Sequence, residues 1–389
     1  MFKSPLIGLL AFMLIYSFKI HAQDKTNNKF GKGIKVVAAD SSFAVKFGFR
    51  TQSLYAGVLN TQTQDYTDKF LIRRARLKFS GFAYSPKLTY KIELGLSNRD
   101  IGGADLAETG NSANIILDAV LKYNFYGKWS VWFGQTKLPG NIERVVSSAN
   151  LQFVDRSRLN SRYNIDRDIG IQLHYNSPNF RYKGAVSTGE GRNITVDNKG
   201  GYDFTNRIEW LPFGPFTGKK EYSESDLLRE ESPKLMLSIA HDYNQRASRE
   251  RGQKGDFVEQ EKTLQTWFAD AHFKYNGFSA LVEYVNKNSI DIDNVEPVAE
   301  VTLEPFYVGT GVNAQAGYLF KNNLELAARY TDVTPLEITQ RSQNKQYTIC
   351  LSKYIVGHAL KVQTDATIIQ EEGSPEMFMY RFQVEFSPF

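Results

Sequence analysis

The chain has 389 residues, 47 Lys and Arg against 42 Asp and Glu, and a mean hydropathy of −0.39. A single cysteine, Cys350, excludes an intrachain disulfide and a cysteine-based zinc cluster, and five histidines leave little for a His-based metal or catalytic centre. Aromatic residues make up 13 %, with 27 Phe and 21 Tyr, an excess that needs a structural reason.

The chain opens with "MFKSPLIGLLAFMLIYSFKIHAQ", where Lys3 precedes an apolar run from Pro5 to Phe18 and a polar end. That is the pattern of a signal peptide, expected over 1–22, and a run of about 14 residues is short for a membrane span. Its removal takes away Lys3 and Lys19 and no acid, so the net charge falls from +5 to +3. An exported chain of such small charge is a poor partner for nucleic acid. No apolar run of helical span length follows Gln23, which leaves a secreted soluble protein or an outer-membrane barrel.

Residues 23–42 read as a short periplasmic segment ahead of the first strand. From there period-two segments run to the end of the chain. "FAVKFGFR" sets Phe43, Val45, Phe47 and Phe49 against Lys46, Gly48 and Arg50. "FLIRRARLKFSG" (70–81) sets Leu71, Leu77 and Phe79 against Arg74, Arg76 and Lys78, with Arg73 at a rim or in a bulge. "LTYKIELGLSN", "IILDAVLKYNF", "WSVWFG", "DIGIQLHY", "FRYKGAV", "YDFTNRIEW" and their successors bring the count to about 16 strands. Helical periodicity is confined to "GGADLAET" and "SESDLLREE".

The joints alternate in length. "AYSPK", "YGK", "NSPN", "NG", "KNN" and "VGH" are short; 57–69, 98–114, 137–167, 189–201, 244–262, 286–304, 331–345 and 370–376 are long. One joint, 212–233, is long where a short one is due, and its role is open. Short turns on one side, long loops on the other and an even strand number define an antiparallel transmembrane β-barrel of the outer membrane, residues 43–389. One face of each strand is aliphatic or aromatic and meets lipid; the other carries Lys, Arg, Glu, Asp, Asn, Gln and Ser and lines water. In lipid such a sheet must close. Tyr90, Tyr123, Trp129, Tyr175, Trp210 and Tyr243 fit interfacial girdles.

The opening basic strand, the loop "FGQTKLPGNIERVVSSANLQFVDRS" and the stretches "RDIGIQLHY", "GEGRN", "RIEWLPFG", "QAGYLF" and "LELAARYTDV" together resemble the phosphate-selective porin O and P family, in order and over nearly the whole exported chain. The resemblance implies a 16-stranded barrel, a homotrimer, and a third long loop (here about 137–167) folded into the pore. Bacterial barrels commonly end in an aromatic residue that the assembly machinery reads, expected here at Phe389. Carried over, the family's anion-binding bases correspond to Arg73, Arg74, Arg76 and Arg144. Lys46, Arg50, Lys78 and Lys137 are further pore-lining bases, and Asp118 is a lumen acid that keeps binding from becoming too tight.

The expected function is passive diffusion of phosphate or other small anions, with no cofactor, no metal and no bond made or broken. Two alternatives stand beside it: a general, weakly selective porin, and a structural or adhesive barrel with a plugged pore. Glu93, Glu209, Asp270, Glu283, Glu325 and Glu385 also take lumen parity, so the pore reads as mixed in charge. His174 and His241 are assigned to the lipid face, and His272 to the wetted lumen wall. "GTG" at Gly309 lacks a following helix and carries no nucleotide site.

Overall fold

A computed structural model describes residues 29–101, 114–195, 198, 201–291 and 303–389. The expected signal peptide and "GGADLAET" therefore lie outside the described residues. A four-residue strand, β1 (Ile34–Val37), precedes sixteen long ones: β2 (Phe43–Asn60), β3 (Tyr66–Ala83), β4 (Ser85–Gly95), β5 (Ile116–Tyr126), β6 (Trp129–Lys137), β7 (Arg167–Asn176), β8 (Phe180–Ser187), β9 (Asp203–Trp210), β10 (Lys234–Arg249), β11 (Phe257–Tyr275), β12 (Phe278–Ile290), β13 (Gly309–Leu319), β14 (Leu324–Pro335), β15 (Asn344–Val356), β16 (Leu360–Glu371) and β17 (Met377–Phe386).

Each of β2–β17 pairs antiparallel with its sequence neighbours, and β17 closes onto β2 through Met377↔Asn60 to Phe386↔Thr51. The result is a closed sixteen-stranded barrel with no free edge around its belt, as a sheet in lipid requires. β1 takes over beside β2 where β17 ends, with Val36 opposite Val45. There Phe389 packs on Phe47 and Phe49.

Alternation fixes the faces. Along β17, Arg381, Gln383 and Glu385 point inward and are buried, while Tyr380, Phe382 and Phe386 are exposed outside. Aromatic pairs such as Trp129–Tyr175 and Tyr330–Tyr347 stand on the outer surface. No helix among the described residues is long and apolar enough to cross a membrane; the strands do so.

Three differences from expectation concern the joints. β2 and β3 continue into the first long joint, which shrinks to 61–65, and β10 and β11 shorten the fifth to 250–256. "SESDLLREE" is not helical: it makes a single turn, the Arg229 N–H donating to the Asp226 carbonyl, and the carboxylate of Asp226 accepts from the N–H groups of Glu230 and of Gly277 in the β11–β12 turn. Three short helices, α1 (Asn98–Ile101), α2 (Ile142–Val145) and α3 (Arg158–Tyr163), had no periodic signal at such lengths.

Candidate functional site: a basic channel along one half of the lumen

Two segments enter the barrel from opposite ends. The third long loop (138–166, here L3) carries α2 and α3 inside, with Ile142, Phe153, Leu159 and Tyr163 fully buried. The far wall holds it through Glu283 of β12, which accepts from Asn141 Nδ2 (3.1 Å) and the Glu143 N–H (3.2 Å). Gln152 Nε2 donates to Glu325 of β14 at 2.8 Å, and Arg207 of β9 donates to the Gly140 carbonyl at 3.0 Å.

From the other end, 211–233 rises to meet it. The Glu224 N–H donates to the Asn150 carbonyl at 3.0 Å, and the Gln152 N–H to the Glu224 carboxylate at 2.7 Å. Ser225 donates to Glu325 at 2.8 Å, the Tyr222 hydroxyl donates to Glu209, and Arg181 pairs with Glu221 at 2.5 Å.

These inserts occupy the lumen beside β9–β16. What remains is a cavity of about 1420 Å³ along the other side, lined from Ser177, Pro178 and Lys219 at the short-turn end to Arg192, Arg251 and Lys254 at the long-loop end. Among the described residues its wall carries 21 Lys and Arg and 5 side-chain carboxylates, those of Glu93, Asp100, Asp155, Asp166 and Glu221. Glu209, Asp270, Glu283, Glu325 and Glu385 are not on that wall. They are buried beneath the inserts or spent on Arg207, Lys183, Lys361 and Arg50. Parity counted them as pore charges; the inserts cover these five, while Glu93 stays on the wall. An excess of one sign on a wall in a low-dielectric surround focuses potential along the path.

The expected bases sit as follows. Gln52 pairs with Arg74 and Ser53 with Ile72, so Arg73 is the extra residue of a β-bulge. The bulge turns both Arg73 and Arg74 inward, where each pairs with Asp155 of L3 at 2.6 and 2.7 Å. Arg76 pairs with Asp100 at 2.8 Å, and Arg50 bonds Ser148 of L3 at 2.8 Å. Lys46 and Lys78 line the cavity without an ion pair among the described residues. Arg144 is on the wall beside Asp166. Lys137 holds the start of L3, donating to the Val145 and Val146 carbonyls at 3.3 and 3.1 Å.

Asp118, expected as a lining acid, is fully buried under Lys91 (2.6 Å) and Arg167 (3.1 Å); it faces inward but is covered by the bases it holds. His174 is also corrected. It shares its face with Gln172, opposite the exposed Ile171 and Leu173, and stacks on Trp132 at 3.9 Å inside the lumen. His241 stands on the outer face against Trp267, as expected. His272 faces inward but is not wetted: 211–233 covers it, and its Nδ1 lies 2.9 Å from the Glu221 carbonyl.

Several further residues of the wall were not singled out as anion sites from the sequence. Lys91 and Lys122 were visible as alternating bases, and Lys122 lies 3.5 Å from the centre of the Trp132 ring. Arg156, Arg158 and Arg162 belong to L3, where no periodicity tells inside from outside. Burial, with Arg74 beside it, lowers Arg156 to about 10, which leaves it cationic at neutral pH. Burial favours the neutral form of Asp155, but Arg74 and Arg73 outweigh it and hold the carboxyl well below its ordinary range.

A closed sixteen-stranded barrel with an apolar belt, a hydrated lumen and an inward loop defines a channel of the outer-membrane porin class. The phosphate-selective porin O and P family matches residues 45–323, and the chain belongs to that family. Among curated sequences no significant match is found.

Solved structures agree on the fold. An anion-selective porin from Comamonas acidovorans aligns with 11 % identity over 89 % of this chain and 99 % of its own, at a TM-score of 0.56. OprB of Pseudomonas putida gives 10 %, 88 %, 94 % and 0.55 for the same four quantities. OmpT of Vibrio cholerae, in a trimer form, gives 11 %, 89 %, 99 % and 0.54. At such identities the likeness carries the fold alone. The family and the fold are those of non-enzymatic channels of the Gram-negative outer membrane.

Proposed function

We propose that the chain forms an anion-preferring diffusion channel for phosphate or other small anions, exported with cleavage of 1–22 and assembled as a homotrimer in outer-membrane lipid. The observation that carries this reading is the wall of 21 bases against 5 carboxylates. Arg73, Arg74, Arg76 and Arg144 are the anion-handling bases, since a guanidinium offers forked donors to phosphate oxygens. Their bonds to Asp155, Asp100 and Asp166 keep part of that capacity engaged, so an anion is passed along and not trapped. Lys46, Lys78 and Lys122, without carboxylate partners among the described residues, supply compact charge toward the short-turn end. The family membership and the anion selectivity of the Comamonas porin support anion preference, and the trimer form of the Vibrio OmpT supports the oligomer. Phe389, folded against β2, is the feature for the assembly machinery to read.

The test is a reversal potential in a potassium chloride gradient across a planar bilayer, followed by phosphate titration. Anion preference, with chloride current reduced by phosphate, is expected. A potential of cationic or zero sign overturns the reading. Absence of any conductance from folded protein means that L3 and 211–233 together seal the lumen, the plugged alternative.

A further inference from the structure

A second cluster lies where the β8–β9 and β10–β11 loops meet the barrel. Asp203 of β9 and Asp242 of β10 face inward and are 0 % and 2 % exposed. They are diagonal neighbours, since Asp203 stands opposite Asn244 and Asp242 opposite Thr205. Thr205 Oγ1 donates to Asp242 at 3.0 Å, and Gln253 Nε2, from the loop above, donates to Asp203 at 2.5 Å. Among the described residues neither carboxylate has an ion pair, and nearby Lys287 directs its ammonium to the Arg251 carbonyl at 2.9 Å.

Around the two carboxylates, five buried oxygens lack a hydrogen-bond partner: Asp203 Oδ1, Asn244 Oδ1, Gln253 Oε1, Ser187 Oγ and Thr266 Oγ1. Ser187 stands opposite Asp203 and Thr266 opposite Asp242, so the oxygens come from four adjacent strands and one loop. The loop backbones close over them. Gly189 and Gly191 hold φ of +87° and +92°, and a Cβ on either would collide with Asn244 Oδ1 or the Gln253 carbonyl.

The two neighbouring carboxylates face one buried ammonium, that of Lys287, so a negative charge is in excess when both are ionised, and water would satisfy the hydroxyls without balancing it. Among the described residues no group of three or more His, Cys, Asp or Glu side chains is placed to hold a metal. Two carboxylates with amide and hydroxyl oxygens are instead the donor set of a hard cation, and Ca²⁺ tolerates the irregular geometry that Mg²⁺ does not. The geometry points to a Ca²⁺-type cation site held by Asp203, Asp242, Asn244 and Gln253, which pins the two loops to the barrel rim.

The test uses full-length protein refolded without lipopolysaccharide and stripped with EDTA. Ca²⁺ should bind saturably in calorimetry and raise the midpoint of heat modification by several degrees, with Mg²⁺ weaker and K⁺ inert. Asp203→Asn and Asp242→Asn should lose both responses, while their metal-free midpoints equal or exceed that of the wild type because an uncompensated charge is gone. Gln253→Met, in the loop and outside the strand ladder, should fold normally and weaken Ca²⁺ binding severalfold. No saturable heat and no shift in the wild type would mean that the pocket holds water only and would end the proposal. A full response retained in both Asp variants, or in Gln253→Met should those fail to fold, also overturns it.

Discussion

Arg73 of β3 and Asp155 of L3 are joined side-on, with Nε and Nη2 reaching the same carboxylate oxygen at 2.8 and 2.6 Å. Burial opposes the charge on Asp155, and Arg74 and Arg73 together overcome it, so its pKa is depressed. A depressed carboxyl stabilises the folded state above its unfolded value near about 4, and that stability is lost only as pH falls through the lower folded value. The clamp between L3 and β3 should therefore persist in mild acid. Single-channel conductance should stay level from pH 7 down to about 4, the unfolded carboxyl value. A step between pH 5 and 6 would show that L3 is held by something else.

That clamp also marks how far the sequence could be read. Alternation placed Arg74, Arg76 and Lys78 inward, and the run "RRAR" suggested that Arg73 needed a rim or a bulge; the bulge is there. A period of two tells which side of the sheet a residue faces. It does not tell what lies over that side. Glu283 and Glu325 share lumen parity with Lys78, yet they hold L3 while Lys78 lines the channel. Asp155 has no parity at all, because it belongs to a loop whose path is set by partners more than 80 residues away in the chain. The long 212–233 joint was conspicuous by length alone; its part in the lumen depends on Asn150 and Glu325, which no local pattern connects to it.

Glu224, where the two inserts meet, predicts a pH dependence of opposite sign. Burial, with Glu143 nearby, raises its carboxyl to about 7. A raised carboxyl stabilises the folded state fully below its unfolded value and loses that contribution as pH rises through the folded one. Stability should therefore fall from about pH 4.5 to 8, by on the order of 3 kcal/mol for such a shift. Glu224→Gln should flatten this slope and raise the alkaline midpoint of heat modification. An unchanged slope in the variant would assign the dependence to other groups.

Deletion of residues 142–155 removes Asp155, Phe153, the Glu143 N–H contact to Glu283 and the Gln152 contact to Glu325. Conductance should rise, because the segment that crosses the lumen is gone. Anion preference should fall in the same channels, because the acids of β12 and β14 become exposed to the path. Unchanged conductance in a folded barrel would place the segment outside the conducting route.

Arg74→Glu with Arg76→Glu tests the basic strand itself. Both side chains face the wetted lumen, so the barrel should still close, although the new carboxylates meet Asp155 and Asp100 and weaken the hold on L3. Anion preference should drop, measured as a reversal potential. Leu77→Arg changes the residue after Arg76, on the opposite parity, whose partner on β2 is Phe49. A charge there faces lipid and costs about 2–4 kcal/mol near the midplane, so this variant should assemble poorly while leaving selectivity unchanged in whatever folds. A heat-modifiability gel separates the two effects. If the double Glu variant fails to fold and Leu77→Arg folds normally, the faces of β3 are reversed. If both fold and selectivity stays put, the arginines of β3 are solvated wall, and preference arises from Lys46, Lys78, Lys122 and the bases of L3.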